Sequence, residues 1–178
     1  MRFVRFAALA LLAVGFSTST ALASSPHFKH GGEPTCTITG TTSKSISCSG
    51  ALSGLGGEDL GLFVTTSGFA VYQCQNNGGQ VAPGQNRVLE GPTTTPTIIS
   101  GNAIKNGNLA FTAPGGLSAA TTVSGTAAGC PNPTWTGVNP TLTVTNITLR
   151  IEQPLGTTIF TCTASNPNGL TSPVTLAC

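Results

Sequence analysis

From Thr35 to the end of the chain, apolar and polar positions alternate with a period of two, and glycine or proline interrupts every long window. Leu60, Leu62 and Val64 show the alternation of a half-buried strand. Segments 35–40 and 44–50 flank a short polar run, which predicts a β-hairpin. No stretch has the helical period of an amphipathic helix. The pattern therefore predicts an all-β chain.

About nine short strands separated by turn signals predict an immunoglobulin-like β-sandwich of antiparallel strands. Along segment 141–151 the apolar positions change phase by one residue near Thr145, which indicates a β-bulge. The polar segment from Gln80 to Thr95 contains several prolines and glycines, and we predict that it is a loop.

The dipeptide Asn106-Gly107 is a strong hairpin signal, because both residues tolerate the positive φ angles of a type I′ turn. A hairpin around this turn would pair Ile104 with Leu109. The sequence therefore predicts two neighbouring strands on either side of residues 106–107.

The N-terminal residues 1–23 have the features of a cleavable secretory signal peptide. Arg2 and Arg5 precede the apolar run 6–16, and an Ala-Leu-Ala triplet then predicts cleavage before Ser24. An uncleaved membrane anchor is the alternative, but a spanning helix needs about 20 apolar residues. We therefore expect an exported protein with no membrane span in its mature chain.

Residues 24–34 show no periodicity and are predicted to form a flexible N-terminal arm. The remaining segment, 35–178, is long enough for one domain with a hydrophobic core, and it contains no internal repeat. We therefore expect a single β-sandwich domain over residues 35–178.

All six cysteines follow the predicted cleavage site: Cys36, Cys48, Cys74, Cys130, Cys162 and Cys178. An even number in an exported protein indicates three disulfides. In the predicted hairpin Cys36 faces Cys48, so these two are expected to be bonded. The other bridges are assigned as Cys74–Cys130 and Cys162–Cys178. No Cys-x-x-Cys spacing occurs, which argues against zinc, iron–sulfur and haem sites.

The mature chain has no net charge, because the formal +2 of the full sequence comes from the signal peptide. Its five cations are Lys29, Lys44, Arg87, Lys105 and Arg150, and its five anions are Glu33, Glu58, Asp59, Glu90 and Glu152. Nucleic acids and anionic membranes are bound by clustered Lys and Arg. Both are therefore excluded as expected partners, and threonine, serine and asparagine must solvate the surface instead.

Candidate catalytic groups are few. His27 and His30 are the only mature histidines, and both lie in the predicted arm, where a modest metal site is the alternative to a solvated segment. Glu58 and Asp59 are adjacent, so in a strand they would point to opposite faces. An enzyme would need a pocket containing one of the carboxylates Glu58, Asp59, Glu90 or Glu152. We predict no catalytic residue, no cofactor and no metal site.

Tyr72 and Trp135 are the most informative aromatic residues. Tyr72 precedes Cys74 by two residues, and Trp135 follows Cys130 by five. A Cys74–Cys130 bridge would bring both rings into one neighbourhood. An exposed pair could stack on a sugar or on a protein partner. The alternative is aromatic packing against a buried disulfide.

Three sequence segments are similar to segments of known proteins: Tyr-Gln-Cys-Gln-Asn-Asn-Gly-Gly at 72–79, Ala-Pro-Gly-Gln-Asn at 82–86 and Gly-Cys-Pro-Asn-Pro-Thr-Trp-Thr-Gly at 129–137. With the signal peptide, they resemble small secreted proteins of actinobacterial type to which no activity is assigned. The resemblance implies a bacterial extracellular setting and supplies no catalytic residue.

These observations together favour a secreted, non-enzymatic structural or interaction protein of the extracellular space or the cell surface. Its partner would be a protein, a glycan or a second copy of itself. A carbohydrate-binding module would expose Tyr72 and Trp135 on one face, and a protease inhibitor would present segment 80–95 as a rigid loop. A secreted hydrolase is the least favoured class.

Overall fold

A computed structural model describes residues 25–178 of the chain. The predicted signal peptide, residues 1–23, and the predicted cleavage site before Ser24 lie outside this range. Within it, no helix is long and apolar enough to cross a membrane.

In residues 25–178, ten strands form two antiparallel sheets, which confirms the all-β sandwich. In chain order the elements are β1 (His27–Phe28), β2 (Thr35–Thr39), β3 (Ser43–Ser53), β4 (Leu60–Gln75), β5 (Val81–Ile99), a 3₁₀ turn (Gly101–Ala103), β6 (Leu109–Ser118), β7 (Val123–Ser124), α1 (Gly125–Ala128), β8 (Thr136–Glu152), β9 (Thr158–Ser165) and β10 (Val174–Thr175).

The first sheet is built around β3. Strand β6 pairs along one side of β3, while β2 and then β1 pair along the other side. Strand β10, close to the end of the chain, pairs with β2. Ala177 then forms a bridge with Thr163 of β9, so the C-terminal segment contacts both sheets along this edge.

The second sheet is built around the long strand β4. Strand β5 pairs along one side of β4, and β8 pairs along the other. Strands β7 and β9 pair with the far side of β8, so β5 is a free edge of the sheet. The β4–β8 register shifts between Ser67 and Gly68 and leaves Thr145 unpaired, which confirms the predicted bulge.

The core lies between the two sheets and follows the alternation seen in the sequence. Even-numbered residues of β4 point inward, and the fully buried ones include Leu60, Leu62 and Val64. Burial of aliphatic side chains of this kind contributes roughly 1.5–3 kcal/mol each. Other large core residues come from the opposing sheet and from β8, and they include Ile46, Leu52, Phe111, Leu142, Ile147, Leu149 and Ile151.

Three disulfides join Cys36–Cys48, Cys74–Cys130 and Cys162–Cys178, and these are the three pairs expected from the sequence. Cys36 and Cys48 are direct partners on β2 and β3. None of the bridges joins a strand of one sheet to a strand of the other, which is where the immunoglobulin fold has its disulfide. The sandwich class is therefore confirmed. One bridge lies within a hairpin, one joins the end of β4 to the segment after α1, and one joins β9 to the last residue, so none ties strands of the two sheets face to face.

In place of the flexible arm expected for residues 24–34, the structure has an ordered N-terminal strand. Phe28 pairs with Leu52 of β3, and its ring lies 4.7 Å from the ring of Phe160. Two further backbone hydrogen bonds, from Lys29 N–H to Ala51 O and from Ala51 N–H to Gly32 O, hold the segment against β3. Because the N-terminal segment makes this apolar contact with only one of its residues, Phe28, the contact produces no periodic apolar pattern in the sequence.

Segment 80–95 is a strand and not the predicted loop. It forms most of β5, whose pairing with β4 is interrupted by irregularities between Thr66 and Gly68 and between Val71 and Gln73 of β4. Proline is tolerated at sheet edges and bulges because no ladder hydrogen bond is lost there. The prolines and glycines that suggested a loop therefore mark an irregular edge strand.

The predicted hairpin around Asn106-Gly107 is confirmed only as a turn. Both residues have positive φ angles, 51° and 72°, and Lys105 and Asn108 exchange the two backbone hydrogen bonds expected across such a turn. The two flanking strands do not pair with each other beyond this turn, because β5 pairs with β4 while β6 pairs with β3 in the opposite sheet. The turn therefore carries the chain from one sheet to the other.

Candidate functional site

Tyr72 is a core residue, so it does not form an exposed binding pair with Trp135. The Tyr72 side chain is only 1% exposed. The pairing of β4 with both neighbouring strands shifts register opposite this residue. Its hydroxyl donates to the carbonyl oxygen of Ala120 at 2.9 Å and to Oε1 of Glu90 at 3.3 Å. Trp135 is partly buried and packs against the core.

The environment of Tyr72 raises the pKa of its hydroxyl above the usual value. Burial is the main cause, and the charge of Glu90 and the hydrogen bond to it add to the effect. The folded state therefore favours the neutral phenol, so this contribution to stability is complete below about pH 10, the ordinary pKa of tyrosine, and is lost as the pH rises above it.

We predict that tyrosinate absorbance, which reports Tyr72 alone because the chain has one tyrosine, develops in the folded protein at a pH above the ordinary pKa of about 10. The free energy of unfolding should fall as the pH rises above about 10, and the variant Tyr72→Phe should lose this part of the pH dependence. A titration of the folded protein at the ordinary pKa would contradict the prediction.

Three of the carboxylates that a hydrolase could use, Asp59, Glu90 and Glu152, form hydrogen bonds or ion pairs within the fold. Asp59 accepts a hydrogen bond from the backbone N–H of Gly101, and Glu152 accepts one from Gly156 N–H and forms an ion pair with Arg150. Glu90 accepts a hydrogen bond from the Tyr72 hydroxyl. These contacts are with backbone N–H groups, a guanidinium and a phenol, and among the described residues none of them joins two of the carboxylates.

His27 and His30 are both exposed. His27 lies on β1, where its Nδ1 is 2.9 Å from the carbonyl oxygen of Ser25. Among residues 25–178 no group of three or more histidine, cysteine, aspartate or glutamate side chains is arranged to hold a metal ion.

The outer face of the second sheet carries a feature that the sequence alone does not reveal. Odd-numbered residues of β4 point to this face, and Thr65 is directly opposite Thr94 of β5 and Thr148 of β8. Thr148 is in turn opposite Thr163 of β9. A row of four threonines therefore crosses four strands, and the hydroxyls of Thr65 and Thr94 are 2.8 Å apart and hydrogen-bonded.

Beside this row lies a groove of about 490 Å³, which we call the hydroxyl groove. It is lined by Thr145, Asn146, Thr148, Thr163 and Ser165, and the loop residues 166–167 form one wall. Every lining side chain is uncharged. Asn146 is directly opposite Ser165, and Thr148 is opposite Thr163, so four polar side chains stand as two adjacent cross-strand pairs.

Arg87 fixes the wall of the hydroxyl groove. Its guanidinium lies 4.2 Å from the ring centroid of Phe69 and donates a hydrogen bond to the carbonyl oxygen of Pro167 at 3.2 Å. A cation over an aromatic face contributes roughly 0.5–1 kcal/mol at exposed sites. Arg87 therefore connects the edge strand β5 with the loop at the far end of the groove.

The polar groups of the groove are available to a ligand. Within the described part of the chain, no hydrogen bond satisfies the side chains of Asn146, Thr148, Thr163 or Ser165, whereas Thr145 donates weakly to Ser67 O at 3.4 Å. Hydroxyl and amide groups both donate and accept hydrogen bonds. The groove therefore offers both donors and acceptors and no formal charge.

Comparison of the chain with protein-family models, with curated proteins and with solved structures finds no match.

Proposed function

We propose that this chain is an exported, non-enzymatic protein that binds a neutral polysaccharide of the cell surface or extracellular matrix. Export is supported by the predicted signal peptide and by three disulfides, which persist in oxidising compartments. The observation that carries the proposal is the hydroxyl groove, whose lining consists of uncharged hydroxyl and amide groups together with Pro167.

The composition of the groove favours a polyol over other ligand classes. Each sugar hydroxyl both donates and accepts, which matches threonine, serine and asparagine side chains. Peptides are commonly bound by apolar grooves, by aromatic-lined grooves or by arginine clusters, and the groove lining provides none of these. The bridge-linked hydrophobic core beneath β8 and β9 orders the backbone that carries the lining side chains, so binding does not have to order these strands.

Binding of the mature protein to immobilised neutral polysaccharides, for example dextran and a β-glucan, tests the proposal. We expect the double variant Thr148→Ala/Thr163→Ala to bind about tenfold more weakly, because two hydrogen bonds of roughly 0.5–1.5 kcal/mol are removed. Added salt should change the affinity little, because no ion pairs form.

The variant Thr37→Ala/Ser47→Ala is a matched control. These residues form an equivalent exposed cross-strand pair on the outer face of the first sheet. Equal affinities of the two double variants, or no retention on any neutral polysaccharide, would count against the groove as a glycan site. Retention on anionic polysaccharides alone would point to a different ligand class.

A further inference from the structure

The threonine row continues the hydroxyl groove across four strands of the second sheet. Thr163 and Thr148 line the groove on β9 and β8, and Thr65 and Thr94 extend the row over β4 and β5. Neighbouring strands lie about 4.8 Å apart, so the row is about 14 Å long. The hydrogen bond between Thr65 and Thr94 uses one of their two donors, so the pair keeps the other donor for a ligand.

A second polar row runs beside the threonine row. Ser67 of β4 is directly opposite Asn146 of β8, and Asn146 is opposite Ser165 of β9. Each of these residues is two positions along its strand from a threonine of the first row, so both rows lie on the same face, about 7 Å apart. The two rows together form a surface of hydroxyl and amide groups, which we call the polar floor.

Larger side chains border the polar floor on both sides. Along β4, Phe63 precedes the floor and Phe69 follows it. The guanidinium of Arg150 on β8 lies 4.4 Å from the ring centroid of Phe63. Arg87 of β5 lies over Phe69 and donates to the carbonyl oxygen of Pro167. Each of these contacts joins different strands, so the floor between them is a trough that runs across the strands.

The trough is open at both ends. Among residues 25–178 no strand pairs with the outer side of β5 beyond Thr94. Beyond Thr163 the next residue in the sheet is Ala177, which is exposed and has only a methyl side chain. A ligand can therefore pass through the trough without presenting a chain end. This geometry favours the interior of a long polymer over a free monosaccharide or disaccharide.

The even spacing of the threonine row favours an extended polymer over a coiled one. A pyranose residue in an extended chain is about as long as one strand spacing, so each sugar residue would meet one threonine. Cellulose-, β-mannan- and xylan-type chains are extended ribbons, because the linkage bonds at both ends of each ring are equatorial. Dextran has flexible linkages, so its residues do not keep this spacing.

We infer that the trough binds an internal stretch of about four residues of an extended, unbranched neutral polysaccharide, which lies across the strands from β9 to β5. The inference rests on the proposed function and adds the type, the length and the direction of the bound chain. The sugar hydroxyls exchange hydrogen bonds with the polar floor, and the arginine–phenylalanine contacts on either side keep the chain aligned with the threonine row.

Calorimetric titration of the mature protein with cello- and manno-oligosaccharides, from the monosaccharide to the octasaccharide, tests the type and length of the chain. We expect the affinity to rise with each added residue up to about four residues and then to level off, because longer chains extend beyond the trough. Isomalto-oligosaccharides, the short forms of dextran, should bind about tenfold more weakly at equal length.

Single variants test the direction of the chain. Thr94→Ala removes the hydroxyl at the β5 end of the row and should weaken hexasaccharide binding about two- to tenfold. Thr161→Ala should not, because Thr161 lies two residues from Thr163 along β9, where only a chain parallel to the strands would reach it. The control Thr93→Ala removes an exposed hydroxyl opposite buried Thr66, on the other face of the sheet, and should bind like the parent protein.

The outcomes separate this inference from the proposed function. Affinity that does not grow beyond the disaccharide, equal effects of Thr94→Ala and Thr93→Ala, or a loss caused by Thr161→Ala and not by Thr94→Ala would each overturn the inference alone. In those cases the variant Thr148→Ala/Thr163→Ala would still weaken binding, and the groove would remain a glycan site. Absence of binding to every oligosaccharide and polysaccharide would overturn both.

Discussion

Replacing both Cys74 and Cys130 by alanine is expected to lower the free energy of unfolding by about 4 kcal/mol. The bridge closes a loop with a sequence separation of 56, and the chain-entropy model assigns roughly this value to a loop of that length. It also holds the segment after α1 against the end of β4, next to the irregular region around Tyr72. Urea denaturation of the variant and the parent protein, compared at one temperature, measures the loss.

The variant Cys36→Ala/Cys48→Ala is the control for loop length. Its bridge has a sequence separation of 12 and is expected to contribute about 3 kcal/mol by the same model. A smaller loss for Cys74/Cys130 than for Cys36/Cys48 would show that loop entropy does not govern the stability of this protein. Double substitution is used in both cases so that no free thiol remains to exchange with the other bridges.

The second large effect is expected for the substitution Gly68→Ala, which should lower the free energy of unfolding by about 3 kcal/mol or more. Gly68 lies in the central strand β4, directly beside the bulge at Thr145. A Cβ atom at this position would overlap with the carbonyl oxygen and carbon of Thr143 on β8. Relief of the overlap requires movement of the β8 backbone, which is held beside Thr143 by a hydrogen bond from Leu170 N–H to Val144 O. Thermal unfolding and yield of folded protein provide the measurement.

Gly116→Ala is the matched control, because Gly116 also lies in a strand and the nearest atom to its added Cβ would be Lys44 O at 3.6 Å, an ordinary contact. We expect it to be neutral or to stabilise by up to roughly 1 kcal/mol through lower entropy of the unfolded chain. Similar stability of Gly68→Ala and Gly116→Ala would contradict the close approach of β4 and β8.

The parts of the fold that could be predicted from the sequence are those set by local pattern. The register of the β2–β3 hairpin follows from its turn and places Cys36 opposite Cys48, and the phase change near Thr145 indicates the bulge directly. Strand β5 was not predicted because its prolines and glycines are usually signs of a loop, and only its edge position makes them compatible with a strand.

The candidate site could not be predicted, because it depends on register between strands. Thr65, Thr94, Thr148 and Thr163 are spread over about a hundred residues of a threonine-rich chain, and nothing local distinguishes them from other threonines. They form a row only when four strands pair in one alignment. The conspicuous aromatic residue Tyr72, in contrast, proved to be part of the core.

The dependence of the first sheet on the C-terminal segment has a consequence for folding kinetics. The N–H of Ile38 donates to Ser172 Oγ, 134 residues away, and β2 pairs with β10. The chain crosses between the sheets several times before that partner arrives. Folds dominated by such non-local pairing have high contact order and fold in milliseconds to seconds, slower than helical proteins of equal stability. During this interval the outer edge of β2 is unpaired, so the last few residues of the chain protect its first hairpin from intermolecular association.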